Sequence, residues 1–344
     1  MEKLLKHCET YPKLQVRDVF KFIFQSEFGC EHLVKSPEAA AEYIKREYDE
    51  LKPEGEIRIE ALDGEYSRVH LCVLGEGLSA ETLAHLFAAS AKKEDGDVEE
   101  KLAIARQMTI EGLFPFSHEV FEAEAAKWKA EGYSAIHHSD AFREAYKPSY
   151  RVIANEFVPF IELFCELDKR LAKGRVTVAL EGGSASGKTT LGALIKRIYD
   201  AEVFHMDDFF LQPHQRTPER FKEIGGNVDR ERFLSEVLMP LSEGRKVRYR
   251  KFDCSSMTLG ETVEAEEKRL TVVEGAYSMH PELAGYYDFS VFLDVDEEVQ
   301  RARIMKRNSP DLAKRFFSEW IPLEQAYFDG TDIKNRCTMV IRIK

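Results

Sequence analysis

The chain has little that would tie it to an oxidising compartment, a membrane or a nucleic acid. Its six cysteines, Cys8, Cys30, Cys72, Cys165, Cys254 and Cys337, are scattered and include no C-x-x-C pair. A disulfide framework or zinc knuckle is not expected, and reduced cytoplasmic thiols are the simplest reading. No apolar run approaches the ~20 residues that a membrane-spanning helix needs. The first residues, MEKLLKHCETYPKL, lack the unbroken apolar stretch of a signal peptide. Basic residues are outnumbered, with a formal net charge of −12 and a pI near 5.5. General nucleic-acid binding needs a basic face, so neither nucleic acid nor membrane is an expected partner. Internal repeats and low-complexity segments are absent too. The 344 residues suit two domains, each with its own core.

What is present is one segment of high information content. Glu181-Gly182-Gly183-Ser184-Ala185-Ser186-Gly187-Lys188-Thr189-Thr190 satisfies G-x-x-x-x-G-K-[ST] when read from Gly182. Arg175 to Leu180 before it is apolar and β-branched, the composition of a buried strand. Thr190 to Tyr199 after it has helical spacing, with Leu191, Leu194, Ile195 and Ile198 on one face. Strand, loop and helix form the setting that the mechanism of this motif requires. Successive backbone N–H groups cradle phosphate oxygens, and glycine lets the main chain approach without Cβ clashes. The free N–H groups and dipole of the following helix favour an anion. Gly182, Gly183, Ser184, Ala185, Ser186, Gly187, Lys188, Thr189 and Thr190 are therefore expected to bind ATP. Lys188 would reach the β- and γ-phosphates, and the Thr189 hydroxyl would ligate Mg²⁺. A Gly/Ser-rich turn with no ligand is the competing reading, and this context fits it poorly.

The segments flanking the motif differ in kind. In the first half, helices are expected over Val16 to Phe28, Pro37 to Leu51, Ser79 to Lys93, Val98 to Gly112 and His118 to Gly132. Ile57 to Leu62 and Arg68 to Val73 alternate about Asp63-Gly64-Glu65 and read as a β-hairpin. A long amphipathic helix is expected from about Ser149 to Ala172, ended by Gly174. In the second half strands and helices alternate, with strands expected at Val176–Glu181, Glu202–Asp207, Leu270–Glu274, Phe289–Val295 and Thr338–Ile343. Several are near-continuous apolar runs, as expected when both faces of a parallel sheet are covered. The expected fold class is α/β: a three-layer, nucleoside-kinase-like P-loop domain over residues 174–344. A mainly helical α+β domain over residues 1–173 precedes it.

Four further features narrow the chemistry. His205-Met206-Asp207-Asp208-Phe209-Phe210 places two acids at the end of the second strand, where a carboxylate faces the ligand crevice. Asp207 could accept a proton from an attacking hydroxyl, or hold Mg²⁺ through water; either acid could instead cap the next segment. Arg269 to Gly275 runs from apolar residues into Glu274, the layout of a Walker B element, which would set Glu274 beside the metal opposite Thr189. Glu297 to Asn308 reads as a basic helix carrying Arg301, Arg303, Lys306 and Arg307. Such a lid neutralises charge on a transferring phosphoryl group, whereas the plainer reading is a solvated face paired with Glu297 and Glu298. Asn227 and Asp229, in Gly226-Asn227-Val228-Asp229-Arg230, suit polyol hydroxyls and equally suit a turn and helix cap.

In this order the blocks give the chain from about Arg175 to Lys344 a resemblance to the uridine kinase and phosphoribulokinase family of P-loop kinases. The shared blocks are Gly182 to Thr189, Met206 to Phe210, Asn227-Val228-Asp229, Val273-Glu274-Gly275 and the arginine-bearing helix. The resemblance implies that Asp207 is the general base on an acceptor hydroxyl and that Asp229 holds ribose hydroxyls. It also implies a metal-associated role for Glu274, with ATP and Mg²⁺ as the phosphoryl donor complex. Asp208 and Asn227 would line the acceptor side, and Lys188, Arg301, Arg303 and Arg307 would carry the phosphoryl group's charge. One block departs. Where uridine kinases follow a Tyr-Asp-Phe block with a base-reading histidine, Lys251 to Thr258 contains none. The expected activity is ATP-dependent phosphorylation of a small-molecule hydroxyl, most like that of a uridine or nucleoside kinase. A pantothenate-like alcohol or a sugar phosphate is an alternative acceptor, and an NTP-dependent switch is the alternative function. The Asp pair and the lack of an N-K-x-D motif favour the kinase.

The first half carries no comparable signal. His32, His70, His118, His137 and His138, with Cys30 and Glu31, match no helical ligand spacing. Phe20, Phe22, Phe24 and Phe28 read as core. Substrate selection, regulation or assembly into a homo-oligomer are all open to this half.

Overall fold

The computed structural model describes residues 2–30, 36–91 and 96–343. The chain divides into two compact units, residues 1–169 and 170–344.

In the first unit, small polar residues start the helices. The side chains of Ser36, Ser79, Ser117 and Ser139 each accept a backbone N–H from the first turn of Pro37–Leu51, Ala80–Ala89, His118–Ala130 and Asp140–Tyr146. Asp97 does the same for Val98–Ile110. Each satisfies a donor that the helix itself leaves free. Val16–Phe28 buries Phe20, Phe22 and Phe24, and Phe20 stacks on Trp128 with ring centroids 4.8 Å apart. The helix expected to reach Lys93 ends at Ala89. Lys93 lies outside the described residues, as do Glu31 and His32.

The expected hairpin forms as β1 (Ile59–Ala61) and β2 (Tyr66–His70), antiparallel, with Glu60 opposite Arg68. A third strand, β3 (Tyr150–Ala154), pairs antiparallel with the far edge of β2. This corrects the expectation of one helix from Ser149 to Ala172. Tyr150, Val152 and Ile153 are aromatic or β-branched, and β2 offers them a ladder that local helical hydrogen bonds would have to replace. The helix starts only at Ile161, after a short turn holding Pro159, and runs to Leu171.

The second unit contains β4 (Val176–Gly182), β5 (Glu202–His205), β6 (Arg248–Asp253), β7 (Thr258–Glu264), β8 (Leu270–Glu274), β9 (Phe289–Val295) and β10 (Met339–Ile343). Five of them form a parallel sheet in the order β10-β9-β4-β8-β5 with flanking helices. β8 is buried throughout and β4 almost so, as a sheet covered on both faces demands. The chain winds one way from β4 to β5 and the other way to β9 and β10. Such a reversal opens a crevice beyond the carboxyl ends of the strands, where ligands of α/β sheets bind. β6 and β7 form a separate antiparallel hairpin, with a register shift between Arg250 and Phe252, that was not among the expected strands. No helix among the described residues is long and apolar enough to cross a membrane.

Candidate active site

The loop after β4 is built around backbone that only glycine tolerates. Gly182 has φ +144°, and a Cβ there would sit 2.7 Å from the Leu293 carbonyl oxygen. Gly187 has φ +103° and precedes the helix Lys188–Tyr199. Within the loop the Ser186 amide donates to the Gly183 carbonyl at 3.2 Å. Lys188 Nζ donates to the same carbonyl at 2.8 Å, Gln300 Nε2 to the Ser184 carbonyl at 2.8 Å, and Arg303 Nη1 to the Ala185 carbonyl at 3.2 Å. Three successive loop carbonyls are thus each held by a side chain. The Ser186 hydroxyl is buried without a hydrogen-bond partner. A buried orphan donor inside a glycine-framed loop fits an arriving phosphate oxygen.

Beside the loop, the Thr189 hydroxyl donates to Glu274 Oε1 at 3.1 Å, and His205 Nδ1 lies 2.5 Å from the same oxygen. Glu274 ends β8 and is buried; His205 ends β5. The hydrogen bond to Glu274 raises the His205 pKa against the opposing effect of burial. Among the described residues no group of three or more His, Cys, Asp or Glu could hold a metal ion by itself. Mg²⁺ normally binds through one or two protein oxygens plus substrate phosphates and water. Thr189 and Glu274 are an oxygen pair of that kind, so these residues fit the ion.

Asp207 lies in the short 3₁₀ turn Met206–Phe209 rather than in the strand, which ends two residues earlier at His205. Its side chain is open to solvent, yet the protein crowds it from the sides. Burial pushes its pKa up, and the charge of Glu274 adds to the rise. Water at the exposed face moderates the shift. Asp208 is half-buried, with Lys251 Nζ of the β6–β7 hairpin 3.0 Å from Oδ2.

The remaining expected residues divide. Asp229 is buried and caps the helix Arg230–Phe233, accepting the Arg232 amide at 3.2 Å with Arg232 Nε 3.4 Å from its other oxygen. Asn227 bonds the side chain of Tyr277. Of the lid arginines on Glu297–Arg307, only Arg303 reaches the loop. Arg301 lies over the Phe317 ring at 4.7 Å and Arg307 over Phe316 at 5.5 Å. Cation–π contact of that kind holds both away from the loop.

Besides His205, the side chains of Gln300, Glu324 and Glu181 at the site had no role in the sequence reading. Gln300 and Glu324 bind the loop's outer residues, and their signal is weak because each is one polar residue in an amphipathic helix. Glu181 is more legible, as an acid ending an apolar strand. It is fully buried and accepts from the Gly182, Tyr277 and Met279 amides at 2.8, 3.2 and 3.0 Å, and from the Tyr327 hydroxyl at 3.0 Å. Burial pushes its pKa up to about 7 against the pull of those donors.

Residues 177–318 match the model of the Phosphoribulokinase / Uridine kinase family. The match lies within the second unit, residues 170–344, referred to below as the kinase domain. No family model matches the N-terminal half, and none of the curated proteins matches the chain. Among solved structures, a possible uridine kinase from Bacillus stearothermophilus is 21% identical with a TM-score of 0.39, covering 51% of this chain and 99% of that one. A chain named as a fructose transport system kinase from Silicibacter sp. TM1040 is 22% identical with a TM-score of 0.40, covering 48% and 89%. Shikimate kinase from Acinetobacter baumannii is 16% identical with a TM-score of 0.29, covering 49% and 84%. The match to this kinase family implies ATP and typically Mg²⁺ for the segment it covers.

Proposed function

We propose that the kinase domain transfers the γ-phosphoryl group of ATP to a hydroxyl of a small molecule. One observation carries the reading. The carboxyl ends of three neighbouring strands bring together the glycine loop with Lys188, the Thr189–Glu274 pair and the carboxylate of Asp207. Phosphoryl transfer needs little covalent chemistry from a protein; positioning and charge neutralisation dominate. The loop amides and Lys188 hold the phosphates. Thr189 and Glu274 would hold Mg²⁺, which would supply positive charge against the phosphates. Asp207 orients the acceptor hydroxyl and takes its proton, and its raised proton affinity suits a base better than that of an ordinary aspartate. Arg303, already at Ala185, is the arginine nearest its task, while Arg301 and Arg307 would first leave Phe317 and Phe316. Asp208, Asn227 and Asp229 lie on the acceptor side, with Asp229 acting through the cap it forms.

A nucleoside is the first acceptor to test. A pantothenate-like alcohol or a sugar phosphate is the second, because the hairpin segment Lys251 to Thr258 offers Lys251 to Asp208 and carries no histidine. Purified protein should be screened with Mg²⁺, ATP and each acceptor class for ADP release. Acceptor-dependent release supports the kinase. ADP release at the same rate with and without every acceptor would overturn it in favour of an NTP-driven switch.

A further inference from the structure

The helix Ile321–Thr331 begins beyond the last residue of the family match, yet it lies against the phosphate-binding loop. Two of its side chains, one turn apart, make the contact. Tyr327 donates its hydroxyl to Glu181, the carboxylate that accepts the Gly182 amide at the start of the loop. Glu324 grips the loop itself. Its Oε2 accepts the Ser184 amide at 2.8 Å and its Oε1 accepts the Ser184 hydroxyl at 2.6 Å. Glu324 is only 6% exposed, and its carboxylate stands within the electrostatic reach of both Lys188 and Asp207. A buried acid so close to another acid and to a site for polyphosphate is costly unless its hydrogen bonds matter. With Gln300 on the Ser184 carbonyl, the amide, the hydroxyl proton and the carbonyl of this one loop residue are taken by two helices.

We propose that Glu324 is a positioning residue, which fixes the phosphate-binding loop in its ATP-competent shape through the paired hydrogen bonds to Ser184. This rests on the reading that the loop binds ATP. The role belongs to hydrogen-bond geometry rather than to charge: a carboxamide of the same length can accept the Ser184 amide through its oxygen and donate its NH2 to the Ser184 hydroxyl oxygen, whereas a shorter acid reaches neither.

The test uses the full chain and three variants, with MgATP affinity by calorimetry, acceptor KM and kcat by ADP release, and thermal midpoint. Glu324→Ala and Glu324→Asp should weaken ATP binding about ten-fold, while Glu324→Gln stays within about three-fold of the wild type. Acceptor KM and the thermal midpoint should change little in all three. Wild-type ATP affinity in both Glu324→Ala and Glu324→Asp overturns the proposal. So does normal binding by Glu324→Asp with impaired binding by Glu324→Gln, because charge would then be the cause. If Glu324→Ala fails to fold, the Asp and Gln pair decides alone. A wild-type protein that binds no MgATP would sink the functional reading instead, a result distinct from these.

Discussion

The carboxylates buried in the first unit and those nearest the glycine loop in the second are held in opposite ways. In the first, Glu60 meets His7, His70 and the wholly buried Arg68, whose Nη1 lies 3.3 Å from Glu60 Oε1. Burial pushes the Glu60 carboxyl up, but the hydrogen bond with His7, the neighbouring His70 and the Arg68 charge outweigh it and hold it well below the usual range. Asp18 behaves likewise. Burial raises it, while bonds from His138 at 2.8 Å and from the Ser139 hydroxyl at 2.6 Å bring it down. In the kinase domain Asp229 is paired in the same manner with Arg232, but the buried Glu181 and Glu324, and the crowded though solvent-open Asp207, are shifted up with no ion pair to a cation among the described residues. In the first unit each of these carboxylates is met by a basic side chain of the fold itself. Acids left protonatable at the end of a sheet are positioned for a ligand that the structure does not itself supply. Function is thus to be sought first at the carboxyl ends of β4, β5 and β8.

The largest effect that would sharpen this contrast is at Lys188. Lys188→Ala should lower phosphotransfer at least ~10³-fold with the fold intact, read by ADP release alongside circular dichroism. Full turnover would remove Lys188 from the mechanism. Asp207→Asn comes next, with an expected loss of about 10²- to 10⁴-fold in kcat and little change in ATP affinity; equal losses in both would argue against a base there. The wild-type rate should also rise with pH through a value above that of an ordinary aspartate, because Asp207 must be unprotonated to act and its pKa is raised. In the first unit, Arg68→Met should cost about 3–5 kcal/mol of stability in a denaturant titration, since it strands Glu60 without its cation. A change below 1 kcal/mol would show that the pairing is dispensable.

The smallest expected effect concerns pH and stability. Glu60 is depressed in the folded protein, so its contribution is complete above its ordinary value of 4.5 and is lost as the pH falls through its folded value. Glu181 is raised to about 7 from 4.5, so the folded state keeps a proton that the unfolded chain gives up. Its effect therefore runs the other way, with stability lost progressively as pH rises from about 4.5 to about 7. Hydrogen exchange at β2 and β4 amides would separate the two trends, and Glu181→Gln should flatten only the second.

Most of the kinase domain was legible because its signals are local. Gly182, Gly187 and Lys188 are required by backbone geometry and phosphate chemistry within a single loop, and β4, β8 and β9 are apolar runs whose burial follows from composition. Glu274 at the end of β8 was legible for the same reason. The strand at Tyr150–Ala154 was not, because its partner β2 lies some eighty residues earlier and its spacing also suits a helix. Nor could spacing show that Arg303 reaches the loop while Arg301 and Arg307 lie on aromatic rings, since all three share one basic helix. Glu324 stood in a segment with no motif at all.

The sequence by itself determined that a phosphate loop sits between a buried strand and a helix, because those requirements act over a few bonded neighbours. Which carboxylates meet that loop, and which are silenced by a cation, only the tertiary structure decided. Burial and charge pairing are set by residues far apart in the chain, and no local pattern records them.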